Sequence, residues 1–171
     1  WYFIPMAICN SMAPTISRIK SQSEKNYLSA LKKIFSLMWW ISIVIVFIMV
    51  FLSHSVVILI YGSQYSASAK VLSIHIFAII PIFLGAVNAI WVANEKRGDL
   101  ALKRTLFGAS LNIFMNYLLI PFYGAEGAAI STVISQFFAS ILLNVYYSFD
   151  LFVIQVKSLY EIRAIGKPNL K

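Results

Sequence analysis

Four stretches of this chain are each apolar enough, and near or above the length needed, to cross a lipid bilayer as a helix. Together they take up most of its residues. A membrane helix requires about 20 predominantly apolar residues. Residues 34–60, 71–92, 105–122 and 127–147 meet that description, and the last is expected to continue as helix towards Val156. Residues 1–16 form a partial span interrupted by Pro5 and Pro14. Composition supports the same reading: 60% of the 171 residues are hydrophobic and 12% are charged, against roughly 45–50% and 25% in a soluble domain. Too little polar surface is available to coat a water-soluble globule, which excludes a soluble enzyme, a disordered segment and a coiled coil. The single cysteine, Cys9, excludes an internal disulfide and a cysteine metal cluster. The fold expected is therefore all-α, a polytopic transmembrane helix bundle of about four full spans plus one partial span. The chain opens on Trp1 inside an apolar run and reads as the later part of a longer protein.

The net charge of +8 is explained by topology rather than by nucleic acid, because no basic stripe is interleaved with exposed polar surface. Between residues 1–16 and the first full span lie Arg18, Lys20, Lys25, Lys32 and Lys33. The next loop holds only Lys70; the one after holds Lys96, Arg97, Lys103 and Arg104. No basic residue lies around Pro121, and Lys157, Arg163, Lys167 and Lys171 end the chain. The 14 basic residues thus fall 5, 1, 4, 0, 4 along successive loops, the alternation that places the rich loops and the C-terminus in the cytoplasm. On this map residues 17–33 are a cytoplasmic basic amphipathic segment, 34–156 carry four spans, and 157–171 are a cytoplasmic basic tail. Tyr27, Leu31 and Ile34 recur at helical spacing, which suggests a short helix lying on the inner membrane surface.

Polar groups inside spans must face other helices or water. Thr105, Gly108, Asn112 and Asn116 fall within roughly 80° of helical arc, and Ala128, Thr132, Ser135, Gln136, Ala139 and Ser140 within roughly 140°. Two consecutive helices therefore carry small-and-polar faces, suited either to close interhelical packing or to lining a hydrophilic cavity. Pro81 lies near the middle of its span, with Gly85 and Ala89 following at i+4 spacing. It removes a backbone donor and clashes with the Phe77 carbonyl, so a kink is expected there, either structural or a hinge. Asn88 lies close to it, giving Asn88, Asn112, Asn116, Thr132 and Gln136 as substrate-cavity candidates. His54, near the end of the first span, and His75, one turn into the second, are interface histidines or proton-coupling groups. No span interior carries Asp or Glu. Nucleophile-elbow, HExxH and glycine-rich phosphate-loop patterns are missing, and nothing calls for a cofactor or a metal, so no enzyme is expected.

Three segments are familiar in combination. NYLLIPFYGAEGAAISTVISQ (residues 116–136) resembles the signature of polysaccharide flippases, a span ending in Pro, a Tyr-Gly turn and a Gly-Ala-Ala helix start. YGSQYSASAKVLSI (61–74) looks like their outer loop entering the next span, and MAPTISR (12–18) is similar to the end of the span before their basic cytoplasmic loop. Together they resemble Wzx-type O-antigen flippases of the multidrug/oligosaccharidyl-lipid/polysaccharide exporter superfamily. The resemblance implies a twelve-span transporter of two lobes, of which this chain would be most of the C-terminal one. It implies alternating-access movement of an undecaprenyl-pyrophosphate-linked repeat unit across the bacterial inner membrane. The implied partners are that lipid-linked oligosaccharide, membrane lipids, an N-terminal lobe of the same protein and other polysaccharide assembly proteins. A pyrophosphate needs cations or helix N-termini, which the N-terminal lobe or boundary residues such as Lys70, Lys103 and Arg104 would supply; snorkelling to the interface is the alternative for these three. A multidrug exporter of the same superfamily and a membrane-embedded polysaccharide polymerase are the rival readings.

Overall fold

The computed structural model describes residues 1–160, so Arg163, Lys167, Lys171 and most of the basic tail lie outside the described residues. All regular structure among the described residues is helical, as the apolar periodicity requires.

Helix α1 spans Phe3–Gln22. Pro5 sits in its first turn, where a missing N–H costs no intrahelical bond, and the helix runs on through Pro14 to Gln22, beyond the expected limit at Ile16. Ser23 is extended (φ −161°, ψ 118°) and ends it. The same serine starts α2, Glu24–Tyr61: its hydroxyl accepts from the Asn26 N–H at 3.4 Å, and Glu24 lies in the first turn, where a carboxylate complements the helix dipole. The 38 residues of α2 span about 57 Å at 1.5 Å per residue, well beyond the roughly 30 Å apolar core of a bilayer. The Tyr27, Leu31 and Ile34 stripe corrects the sequence expectation. These residues begin α2 itself rather than a separate surface helix, and they are fully buried against protein. Ile16, Phe83, Leu84, Leu151 and Ile154 belong to the same core cluster.

Gly62 (φ 93°) closes α2 with its N–H on the Ile58 carbonyl at 2.9 Å. A 3₁₀ turn, α3 (Ser66–His75), a second 3₁₀ turn (Ile76–Ala78) and α4 (Ile79–Asn94) follow. The second 3₁₀ turn ends three residues before Pro81, whose ring clashes with a helical carbonyl four residues back, at Phe77 within that turn, and so disfavours continuous α-helix there. Lys96 ends the run in the left-handed region (φ 54°), with the Arg97 N–H on the Val92 carbonyl at 2.9 Å and the Lys96 N–H on Ala93 at 3.3 Å. This is a Schellman closure made by a lysine.

Helix α5, Gly98–Phe137, is a hairpin of two arms, with a non-helical backbone at Gly124 (φ 55°, ψ −131°). Only glycine adopts such angles freely. The arms lie antiparallel and close. A Cβ on Gly127 would stand 2.6 Å from the Leu119 carbonyl oxygen, one on Gly108 3.0 Å from the Ala139 Cβ, and the Asn112 amide donates to the Ser135 hydroxyl at 3.2 Å.

The second arm leads into a π-helical turn at Phe138–Leu142 and then α6, Leu143–Tyr147. The expected continuation towards Val156 is not a straight one. Ser148 leaves the helical region (φ −160°, ψ 67°), and α7 (Phe149–Tyr160) folds back to pack along α2. The Trp39 indole N–H on the Gln155 carbonyl at 2.9 Å fixes it there, with Leu151 and Ile154 entering the core.

Among the described residues three helical stretches are long and apolar enough to cross a membrane: Glu24–Tyr61, Ser63–Asn94 and Gly98–Tyr147, the last folded on itself at Gly124. Phe47, Phe51 and Leu59 of α2 and Ile113, Phe114 and Tyr117 of α5 stand exposed. Surface of this kind is suited to lipid rather than to water. The protein is a polytopic α-helical membrane protein.

Candidate functional site

The two small-and-polar helix faces meet across the α5 hairpin and, with α4, line a partly open cavity of about 500 Å³. Gly85, Ala89, Gly108 and Ala139 provide its space, since larger side chains at these positions would fill it. Of the five cavity candidates, Asn88, Asn112, Thr132 and Gln136 line it. Asn116 stands one turn beyond, its amide donating to the Asn112 side-chain oxygen at 3.1 Å while its own buried oxygen has no partner. Packing and cavity lining coexist on these faces: Asn112 ties the arms together through Ser135, and the Thr132 hydroxyl returns to the Ala128 carbonyl at 3.0 Å. The Gln136 amide makes no hydrogen bond among the described residues, although it faces the cavity.

Asn88 is buried and donates to the Ser140 carbonyl at 2.7 Å; its oxygen is unpartnered. The Ser140 carbonyl belongs to the π turn, whose widened ladder frees backbone acceptors. It also receives the Asn144 amide at 3.1 Å and the Gln155 amide at 3.2 Å. Asn144 in turn donates to the Gln155 side-chain oxygen at 2.9 Å. One carbonyl therefore gathers polar side chains from α4, α6 and α7 beside the cavity.

The cation on this network is Arg104. It is 8% exposed, lines the cavity, and donates through Nη2 to the Asn144 side-chain oxygen. Its Nε has no partner, and no carboxylate among the described residues pairs with it. The sequence grouped it with Lys70 and Lys103 at the membrane boundary, and the structure separates the three. Lys70 pairs with Glu126 at 2.8 Å, and Lys103 pairs with Asp99 at 3.3 Å and lies 5.5 Å from the Tyr147 ring centre. Arg104 is turned inward. The signal that reveals it is the row Arg104, Gly108, Asn112, Asn116 at strict i+4 spacing, which places the arginine on the cavity face. Ser140, Asn144 and Gln155 were not singled out as a cluster by the sequence, because the π turn and the reversal at Ser148 bring them together.

His54 and His75 are both exposed and line no part of the cavity. Pro81 is buried in the first turn of α4, four residues before Gly85. A second space of about 880 Å³ lies among α2, α4 and α7, lined by charges of both signs that include Glu24, Lys25, Glu95, Asp150 and Lys157. Lys20, which pairs with Glu95 at 2.5 Å and donates to the Asn94 carbonyl at 2.9 Å, ties α1 to α4 near it. Among the described residues no three His, Cys, Asp or Glu side chains gather in a way that would hold a metal.

No curated protein and no solved structure matches this chain. A family model does, that of the lipid II flippase MurJ, over residues 3–159. That match takes in every helix that walls the cavity. It agrees with the sequence signature in pointing to flippases of lipid-linked precursors, while naming MurJ where the residue patterns resembled the O-antigen type. A membrane-spanning helical bundle with a polar cavity and one buried arginine on its wall accords with that match, and the chain belongs to the MurJ lipid II flippase family.

Proposed function

We propose that the protein moves an undecaprenyl-pyrophosphate-linked saccharide from the inner to the outer face of the bacterial inner membrane by alternating access, with lipid II as the substrate. The observation that carries this is the cavity itself: about 500 Å³, lined by Asn88, Asn112, Thr132 and Gln136, within a chain matched to lipid II flippases over residues 3–159. Neutral amides and hydroxyls are the groups that exchange hydrogen bonds with sugar hydroxyls, and release them again, without the cost of stripping water from charges. Asn116 extends this lining, Pro81 is the hinge at which α4 tilts, and the partners are the lipid-linked precursor, the surrounding lipids, an N-terminal lobe and other envelope-assembly proteins. The alternation of basic residues supports a cytoplasmic C-terminus.

The O-antigen repeat unit is the second reading, favoured by the resemblance of residues 116–136, 61–74 and 12–18 to Wzx-type flippases. A multidrug exporter is disfavoured because no carboxylate among the described residues lines the cavity. Depleting the protein in its native host distinguishes these. Lipid II accumulating at the cytoplasmic face, with loss of wall synthesis, supports the first reading. Accumulation of O-antigen units with the wall intact supports the second. Units that reach the outer face but stay unpolymerised would replace both with a polymerase.

A further inference from the structure

The geometry points to a phosphoryl-binding site at Arg104 and Asn88, on the wall of the cavity between α4 and α5. This rests on the reading of the protein as a flippase of pyrophosphate-linked lipids and adds to it the atoms that hold the anion. A guanidinium stays charged in a protein, and buried charges are ordinarily paired. Lys20, Lys70, Arg97 and Lys103 each have a carboxylate within reach. Arg104, the buried one, has instead the neutral side-chain oxygen of Asn144.

That oxygen is held in place by a chain of neutral contacts. The Asn144 amide is spent on the Ser140 carbonyl and on Gln155, and Gln155 is itself bonded back to Ser140. The network orients Arg104 without neutralising it. It leaves the Nε donor and the remaining Nη donors of the fork unused, and that edge matches two phosphoryl oxygens. Asn88 binds the same Ser140 carbonyl through its amide, which leaves its buried oxygen as an unsatisfied acceptor. A cationic donor, held through Asn144, and a neutral acceptor are therefore both tied to the Ser140 carbonyl on the cavity wall. A group presenting an anionic oxygen next to a hydroxyl satisfies both, and a glycosyl phosphate has that chemistry. Gly85 keeps the approach open, since a Cβ there would stand 3.1 Å from the Ser140 hydroxyl oxygen.

The test is binding by the full chain in detergent, read by native mass spectrometry, with undecaprenyl pyrophosphate, undecaprenol and phosphatidylglycerol as separate probes. Wild type is expected to retain undecaprenyl pyrophosphate in preference to the other two. Arg104→Gln should weaken that binding about tenfold to a hundredfold, the effect of losing a charge-assisted contact, and leave undecaprenol unaffected. Arg104→Lys should recover part of the loss, since lysine keeps the charge without the fork. Asn88→Asp tests the site with the arginine in place: a carboxylate there puts a negative charge on the cavity wall and should reduce binding of the pyrophosphate probe as strongly. Unchanged binding in both Arg104→Gln and Asn88→Asp overturns the site while leaving the flippase reading standing. Equal loss of undecaprenol also overturns it, because Arg104 would then only hold the fold. Phosphatidylglycerol binding as tightly, with the same dependence on Arg104, assigns the site to bulk lipid and overturns the substrate assignment. Wild type that does not distinguish undecaprenyl pyrophosphate from undecaprenol contradicts the flippase reading itself.

Discussion

Gly127→Ala should open the α5 hairpin. The added Cβ would stand 2.6 Å from the Leu119 carbonyl oxygen, 2.7 Å from its carbon and 3.1 Å from the Ile120 nitrogen. All three are backbone atoms, so no side-chain rotation relieves the clash. Reaching an ordinary contact of 3.4 Å requires the arms to separate by about 0.8 Å, a displacement that overpacked cores resist at about 1–3 kcal/mol. The separation also weakens the Asn112–Ser135 bond, now 3.2 Å, for which an interhelical hydrogen bond in a membrane contributes about 0.6 kcal/mol. The expected total is a loss of about 2–4 kcal/mol. Unfolding of the detergent-solubilised protein, followed by circular dichroism, measures it. Gly98→Ala is the control, because nothing lies within 4 Å of its Cβ position and alanine favours helix. A Gly127→Ala protein as stable as the Gly98→Ala one would refute the close antiparallel packing of the arms.

Replacing Asn112 or Gln136 by Leu should lower transport with protein abundance unchanged, as read by surface precursor against an immunoblot; abundance falling in step with transport would reassign both to helix packing. Lys96→Gly should stabilise the protein by about 1 kcal/mol, since a side chain in the left-handed region at φ 54° carries roughly that strain, and a chemical-denaturation midpoint in detergent tests it. Trp39→Phe removes the donor to the Gln155 carbonyl and should cost about 1 kcal/mol. Hydrogen exchange would show the loss first in residues 149–160, and uniform exchange across the chain would argue against a local role for that bond.

Much of the bundle was legible because lipid enforces a simple rule: apolar for about 20 residues, then charge or glycine. The cavity faces were legible for a related reason. Asn112, Asn116, Thr132 and Gln136 repeat at helical spacing, and polar groups on one face of a span have nowhere to go but inward. Reversals without punctuation escaped detection. Ser148 carries no proline or glycine beside it, yet the chain turns there, and the π turn at Phe138–Leu142 has an unremarkable composition. Those two features bury Gln155 and Asn144 and gather three amides on the Ser140 carbonyl. Arg104 was hidden by a rule that otherwise worked, since four basic residues in one loop read as a cytoplasmic cluster and one of them turns into the bundle. The Tyr27, Leu31 and Ile34 stripe had the right period, but its partner is protein: α7 packs along α2, and these residues share a core cluster with its Leu151 and Ile154.

The most direct test of the central claim is whether lipid II becomes accessible at the outer face. Cells depleted of the protein and complemented with wild type or with Asn112→Leu/Gln136→Leu are treated with an externally added enzyme that cleaves lipid II, and the cleaved fraction is measured. The account predicts cleavage with wild type, and a marked loss on depletion and in the double variant at equal protein abundance. Cleavage that is unchanged by depletion would contradict it.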